Sequence, residues 1–299
     1  MIQAVIGIDI GGTKIAAHIL DATHQTLDER RTSTPATEGA DAILSTVVEL
    51  CQTLIDAHPE IKFRGIGVGV AGQIDPHQGK VIDGNDNILG WKGAEIKATL
   101  ESALHLPAFV DNDVRTMALA EAELGAGRDY AHLLCLTVGT GIGSAIIQHR
   151  QLWHGAHFTA GEFGYLLYQP QQNIEKTAAG PALEKAYALA TGTHPPVNLR
   201  EMVQRSLGGD QTATQVIAEG ARAFGKTLAP VLLFLDPEAV IIGGGVAEIE
   251  DHLWWQPFIH AVREFEFSSV TNMPILKAEL GNRAGMIGAG LLAWRHTNG

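Results

Sequence analysis

Cysteine is almost absent. The chain has two in 299 residues, Cys51 and Cys135, far apart and each inside an apolar segment. Two isolated thiols cannot build a disulfide framework or a cysteine-based metal centre. Their setting predicts buried free thiols in a reducing compartment. Basic residues are also scarce: 21 Lys and Arg stand against 33 acids, a formal net charge of −12, with no basic cluster. A duplex binder presents a basic face, so nucleic acid is not an expected partner. Long apolar runs are missing too. The longest, 228–235, is too short to cross a bilayer, so no membrane partner is expected. No basic segment precedes an apolar one at the start, and Asp9 and Lys14 interrupt the first apolar stretch. The expectation is a cytoplasmic protein. What the chain has in quantity is apolar residues, 45%, and 34 glycines, enough for two domains with separate cores.

The glycines fall at particular places. In "VIGIDIGGTKIAAHILD" (5–21), Val5, Gly7 and Asp9 alternate with Ile6, Ile8 and Ile10. That period of two predicts a strand entering a tight turn at Gly11-Gly12, with a returning strand over 15–20. "HLLCLTVGTGIGSAIIQHRQL" (132–152) repeats the plan. Ile43, Val47, Cys51 and Ile55 mark an amphipathic helix, and Ile96, Leu100 and Leu104 a second. "GIGVGVAG" (65–72) and 108–110 read as strands, and "DND" (111–113) as a helix start. Pro181 opens a helix over 182–189, and a pattern over 212–235 predicts a long helix kinked at Pro230. "AVIIGGG" (239–245) reads as a buried strand running into a glycine loop, and 285–294 as a helix of small and apolar residues. The paired hairpins predict an α/β fold of two related halves facing a cleft, each offering one glycine turn.

Glycine turns bind phosphate because backbone N–H groups can approach it with no Cβ in the way. Gly11, Gly12 and Thr13 could do so with Lys14, and Gly139, Thr140, Gly141 and Gly143 could do so in the second hairpin. Glycine also serves such turns for conformational reasons alone. Two matched hairpins, one preceded by an acid, favour phosphate. "GIDIGGTK" (7–14) is not a P-loop, because Lys and Thr are exchanged and no helix pattern follows. "GVGVAG" (67–72) fits a dinucleotide fingerprint literally, but "QIDPHQGK" follows it instead of a helix. Asp9, on the strand before the first turn, suits Mg²⁺ or its water shell; the alternative is an acid that hydrogen-bonds the turn backbone. An acid at a helix start next to a strand end could take a proton from an attacking hydroxyl. The pattern alone does not separate Asp111 from Asp113 in that role. His154 and His157 stand too isolated to build a metal site.

The motifs "DIGGTK", "GVAGQID", "NILGW", "VDNDV", "TVGTGIGS", "GEFG", "PEAVIIGGG" and "GNRAGMIGAG" occur in the order found in ROK-family sugar kinases. The chain resembles that family over about 3–294. The resemblance implies two RNase H-like (actin-like ATPase) domains flanking a central cleft. Residues 1–112 plus about 286–299 would form the smaller N-terminal domain, and 113–285 the larger C-terminal one. Asp113 is then the catalytic base and Asn112 a sugar-hydroxyl ligand. Gly72, with Asn85 or Asn87 of "GNDNILGW", lines the sugar side, and Glu162 and Glu184 clamp sugar hydroxyls. Asp9, Gly11, Gly12, Thr13 and Lys14, with Gly139, Thr140, Gly141 and Gly143, form the phosphate and Mg²⁺ site, Asp9 reaching the metal through water. Gly244, Gly245 and Asn282 lie on the adenosine side.

Two departures stand out. Where many members carry a His that touches sugar and can ligate zinc, this chain has Tyr165. Where many carry C-x-C-G-x-x-G-C-x-E, it reads "NIEKTAAGPALE", so no zinc site is expected. The implied activity is ATP- and Mg²⁺-dependent phosphorylation of a hexose-type sugar at its 6-hydroxyl, with glucose or N-acetylmannosamine favoured and β-glucoside, allose or fructose as alternatives. The implied assembly is a homodimer, with Trp254-Trp255 either a contact surface or core. The family also contains sugar-responsive repressors, but Gly11 leaves no room before it for a helix-turn-helix. A catalytically silent sugar sensor is opposed by the intact Asn112-Asp113 pair.

Overall fold

Strands that are buried on both faces lose the polar alternation of half-exposed ones, and the first strand is of that kind. The computed structural model describes residues 2–84 and 88–297. The chain begins with β1 (Ile2–Ile10), β2 (Lys14–Asp21), β3 (Thr26–Ser33), α1 (Ala40–Ala57) and β4 (Ile61–Val70). A small hairpin follows, β5 (Gln73–Asp75) and β6 (Lys80–Asp83), then α2 (Ile96–Leu104), β7 (Ala108–Asn112) and α3 (Asp113–Leu124). Next come β8 (Leu133–Val138), β9 (Ile142–Gln148), β10 (Gln151–Leu152), β11 (Leu167–Gln169) and β12 (Gln172–Asn173). Helices α4 (Glu175–Ala178), α5 (Gly180–Thr191), α6 (Leu199–Leu207) and α7 (Gln211–Leu235) lead to β13 (Ala239–Gly243). The chain closes with α8 (Trp255–Arg263), α9 (Ser268–Asn272), β14 (Ile275–Lys277) and α10 (Ala284–Thr297).

Two compact units result: Met1–Arg128 with Gln151–Ala160 and Asn282–Gly299, and Asp129–Arg150 with Gly161–Gly281. This grouping keeps α3 with the strand it follows, whereas the sequence-based boundary falls between residues 112 and 113.

The sheet of the first unit runs β3-β2-β1-β4-β7, with β1 antiparallel to β2 and parallel to β4. In the second unit the strands run β9-β8-β13-β14, again a hairpin followed by parallel neighbours. Each is an RNase H-like sheet, and the fold is that of the actin-like ATPases. The charged edge strand β3, "TLDERRTS", carries no apolar alternation. Its Asp28–Arg30 and Glu29–Arg31 pairs face water, as suits an edge that must not recruit another chain.

One face of the first sheet packs Ile6, Ile8 and Ile10 with Ile43, Val47, Cys51 and Leu100 of α1 and α2. The other face is paved with glycine, and there α3 and α10 come into backbone contact. A Cβ on Gly67 would lie 1.7 Å from the Ala289 carbonyl oxygen, and one on Gly288 1.7 Å from that of Thr116. Neither obstacle is a side chain that can rotate away. We therefore expect Gly67→Ala and Gly288→Ala each to destabilise the fold by about 3 kcal/mol or more, read by urea denaturation. Gly12→Ala, with nothing within 4 Å of the new methyl, should leave the midpoint near wild type.

In the second unit α7 continues through Pro230 as one helix of 25 residues. Trp254 and Trp255 are buried and pack with Phe224 and Phe258, so they are core and not a contact surface. The hydrophobic return on sealing two indoles outweighs any use as an exposed patch. Both cysteines are buried, and burial pushes Cys51 up to about 12. Among the described residues no helix is long and apolar enough to cross a membrane.

Candidate active site

Parallel strands place their C-terminal ends on one edge, and in the first unit that edge carries the chemistry. Asp9 of β1 is in register with Gly69 of β4, and Gly69 with Asp111 of β7. The chain leaves β7 directly into α3. Asn112 caps the helix: its side-chain oxygen accepts the N–H groups of Val114 (2.9 Å) and Arg115 (3.3 Å). Its Nδ2 donates to the Gly72 carbonyl at 3.0 Å, and the same side chain hydrogen-bonds the Asp113 carboxylate. Gly72 has φ +118°, and a Cβ there would meet the Asp83 carbonyl at 2.7 Å, so no other residue fits without strain.

The structure separates the two acids that the sequence left equivalent. Both oxygens of Asp111 are occupied. Oδ1 accepts from the Asn112 N–H (2.8 Å) and Arg115 (3.3 Å), and Oδ2 lies 2.6 Å from His154 Nε2. Asp113 makes no ion pair among the described residues; its Oδ1 accepts the Val114 N–H at 2.9 Å. Burial raises the Asp113 carboxyl above the ordinary Asp range, opposed by hydrogen bonds from the helix start. Asp9 is raised to about 6, first by burial and then by the Asp113 charge, with Lys14 pulling the other way. The first turn of α10 lies against it, where a Cβ on Gly285 would sit 3.3 Å from the Asp9 carboxylate.

The Asp9 carboxylate has no hydrogen bond or ion pair among the described residues. It shares its surroundings with a second acid, a donor set that suits a hydrated divalent cation. Beside it, the first glycine turn closes on itself through Gly11 N–H to Lys14 O (3.0 Å), and Thr34 Oγ1 donates to the Gly11 carbonyl (2.7 Å). Gly12 and Thr13 are left exposed at the tip of the hairpin, next to the exposed Lys14.

In the second unit Gly139 N–H donates to the Gly141 carbonyl (2.9 Å), and Gly180 N–H donates to that of Gly139 (2.8 Å). The turn therefore rests on the start of α5. Gly143 stands in β9 opposite Thr137. A Cβ on Gly139 would be 3.9 Å from the Gly245 nitrogen, so the glycine turn and the loop after β13 are neighbours. Gly244 has φ +94° and lies on the Val138 backbone. Asn282 belongs to the first unit, not to the one that carries Gly244 and Gly245.

Glu162 is exposed and leads into a single 3₁₀ turn that ends at Tyr165, which is 75% exposed. Glu184 Oε1 accepts the Leu199 N–H at 2.7 Å and so holds the start of α6, while its other oxygen has no hydrogen bond among the described residues. Asn85 and Asn87 lie outside the described residues.

Sequence reasoning passed over Glu175 and Ser144. Glu175 Oε2 accepts the Ile142 N–H (2.8 Å), which braces the glycine turn. Ser144 Oγ donates to the Gly161 carbonyl and accepts the Phe163 N–H (3.1 Å), tying that hairpin to the Glu162 segment. No local pattern marks such long-range partners.

A sequence profile described as the ROK family matches residues 5–296. The chain belongs to the ROK family. This ROK protein is 31% identical to a beta-glucoside kinase of Klebsiella pneumoniae, covering 95% of this chain and 94% of that one. Among solved structures it resembles a ROK hexokinase from Thermus thermophilus, with a TM-score of 0.88, 31% identity and 99% of each chain covered. It also resembles a ROK glucokinase from Streptomyces griseus solved with glucose and AMPPNP, with a TM-score of 0.82, 29% identity and 98% and 99% covered.

Proposed function

We propose that this ROK protein transfers the γ-phosphate of ATP to the 6-hydroxyl of a hexose-type sugar, of the glucose or N-acetylmannosamine kind, in the cytoplasm. The observation that carries the reading is Asp113: an acid with no ion pair among the described residues, its carboxyl raised by burial, at the N-terminus of α3 and close enough to Asp9 for their charges to interact. Such a group is a proton acceptor matched to a hydroxyl nucleophile.

In this reading Asp113 orients the sugar hydroxyl and takes its proton as the oxygen attacks phosphorus in line. Asn112 offers its side-chain amide to a neighbouring hydroxyl. Gly12 and Thr13 present backbone N–H groups to phosphate oxygens, and Lys14 adds a positive charge. Asp9 would hold Mg²⁺ through water; the ion supplies charge neutralisation at the phosphates when bound. In the second unit the turn from Gly139 to Gly143, with Gly244 and Gly245, serves the nucleotide. Glu162 and the other oxygen of Glu184 accept sugar hydroxyls, because a carboxylate can take several such bonds and charge strengthens each.

The experiment is an ADP-release assay with ATP, Mg²⁺ and a panel of glucose, N-acetylmannosamine, β-glucosides, allose and fructose. Sugar-dependent ADP release is expected with at least one of the first two. Release with none of them, alongside measurable sugar binding, would replace the kinase by a sugar-sensing protein.

The reading includes a homodimer. Phe234 at the end of α7 is 95% exposed and Leu167 67%, large apolar groups of the sort that subunit contacts cover. Phe234→Asp should weaken self-association about tenfold or more, measured by light scattering across a dilution series. An unchanged mass profile would remove this surface from the role.

A further inference from the structure

Residues 151–160 belong to the first unit although they lie far from it in sequence, and the groups that hold them meet at one buried acid. Asp111 is 1% exposed and Arg115 3%. Arg115 reaches Asp111 Oδ1 (3.3 Å) with one nitrogen and the Phe158 carbonyl (2.6 Å) with the other. His154 Nε2 stands 2.6 Å from Asp111 Oδ2. Gln73 of β5 donates to the His157 carbonyl (2.8 Å), and the Ala160 N–H donates to that of His154 (3.2 Å). The segment is thus a short strap folded over the β7–α3 junction and fastened at several points.

Charge fixes the hydrogen-bond roles. The Asp111 carboxylate, paired with Arg115, can only accept, so in this contact His154 Nε2 is the donor to Oδ2. The same carboxylate accepts the Asn112 N–H, and Asn112 in turn receives the Val114 and Arg115 N–H groups. Hydrogen bonds therefore join the imidazole to Asp111 and Asp111 to the Asn112 N–H, and Asn112 in turn holds, through its side chain, the N–H groups that follow Asp113.

We propose that His154 is a positioning residue: acting through Asp111, it fixes the orientation of the Asn112-Asp113 junction. It is partly exposed (side chain 25%), whereas Asp111 and Arg115 are sealed. It is therefore the member of the set whose replacement disturbs the junction without emptying the core. The proposal rests on the reading of Asp113 as the base.

The test compares His154→Phe, which keeps a ring without a donor, with His154→Gln, whose amide places an N–H near the Nε2 position. Two readouts are used, kinetics and hydrogen exchange. Below the melting temperature His154→Phe should lower kcat about tenfold or more with both KM values within about twofold, and His154→Gln should recover most of the loss. Exchange in peptides over 108–116 and 154–160 should rise about tenfold in the Phe variant and stay flat over the β8–β9 hairpin. A purely structural role would lower the melting temperature and leave kcat per folded molecule unchanged; that result overturns the proposal. So does unchanged exchange over 108–116, or a Gln variant as slow as Phe. If the wild type phosphorylates no sugar, the kinase reading fails on its own, and the exchange comparison still decides whether His154 holds the junction. If His154→Phe does not fold, His154→Ala takes its place in the same comparison.

Discussion

Asp113→Asn should lower kcat by about 10²–10⁴-fold and leave sugar affinity within about threefold of wild type. The amide keeps the size and planarity of the carboxyl. Its oxygen can still accept the Val114 N–H that Asp113 Oδ1 receives at 2.9 Å, so the cap of α3 survives. What it loses is the ability to receive a proton in the transition state. The pH dependence sharpens the test. A base works only when ionised, and burial raises the Asp113 carboxyl. The acid limb of kcat in the wild type should therefore fall above the ordinary Asp value near 3.9, with turnover lost as pH drops through it. The residual activity of the Asn variant should lack that limb. Steady-state rates across pH and calorimetric titration with sugar supply both numbers. An Asn variant with near-normal kcat would take Asp113 out of the role. Asp111→Asn is not an equivalent control, because it strips a buried arginine of its partner and should act on stability first.

Asp9→Asn should stabilise the metal-free protein at neutral pH while removing turnover. In the folded protein burial, and then the Asp113 charge, push Asp9 from an ordinary value of 3.8 up to about 6. Between those pH values the folded state holds a proton that the unfolded chain has released, so stability falls as pH rises through the window. Above about pH 6 the whole penalty is present, at most about 3 kcal/mol for a shift of this size. The amide removes it. The variant should therefore melt higher than wild type near pH 7.5, and the two should melt alike below about pH 4. Mg²⁺ should raise the melting temperature of the wild type at the higher pH and do little for the variant, a readout independent of activity. A variant that melts lower than wild type at neutral pH would mean that Asp9 is a structural acid. The cost matches a site prepared for a cation: the carboxylate is held poorly solvated beside a second acid, and both charges are relieved when a positive ion arrives.

Much of the fold can be read locally. The two hairpins, the helices at Ile43, Ile96 and Pro181 and the cap at "DND" follow from periodicity, turn chemistry and capping, which act over a few residues and leave their mark there. The strand β3 does not, because an edge strand is stabilised by its neighbour's backbone and keeps its charges for water. Trp254 and Trp255 have sequence neighbours that do not reveal their burial; the facing Phe224 and Phe258 do.

The candidate site divides the same way. The residue types were legible: an acid before a glycine turn, a second glycine turn with the same logic, and an Asn-Asp pair at a helix start. The sequence by itself determined that repeated plan, because glycine without a Cβ and an acid at a strand end have few other uses in that order. The tertiary structure decided which acid is open. Arg115 is only four residues from Asp111, but His154 comes from a distant part of the chain to take its second oxygen, and among the described residues Asp113 has no ion-pair partner. It also decided that Asp9 is pushed up to about 6, since burial and the field of a neighbouring charge depend on separation in space and not along the chain.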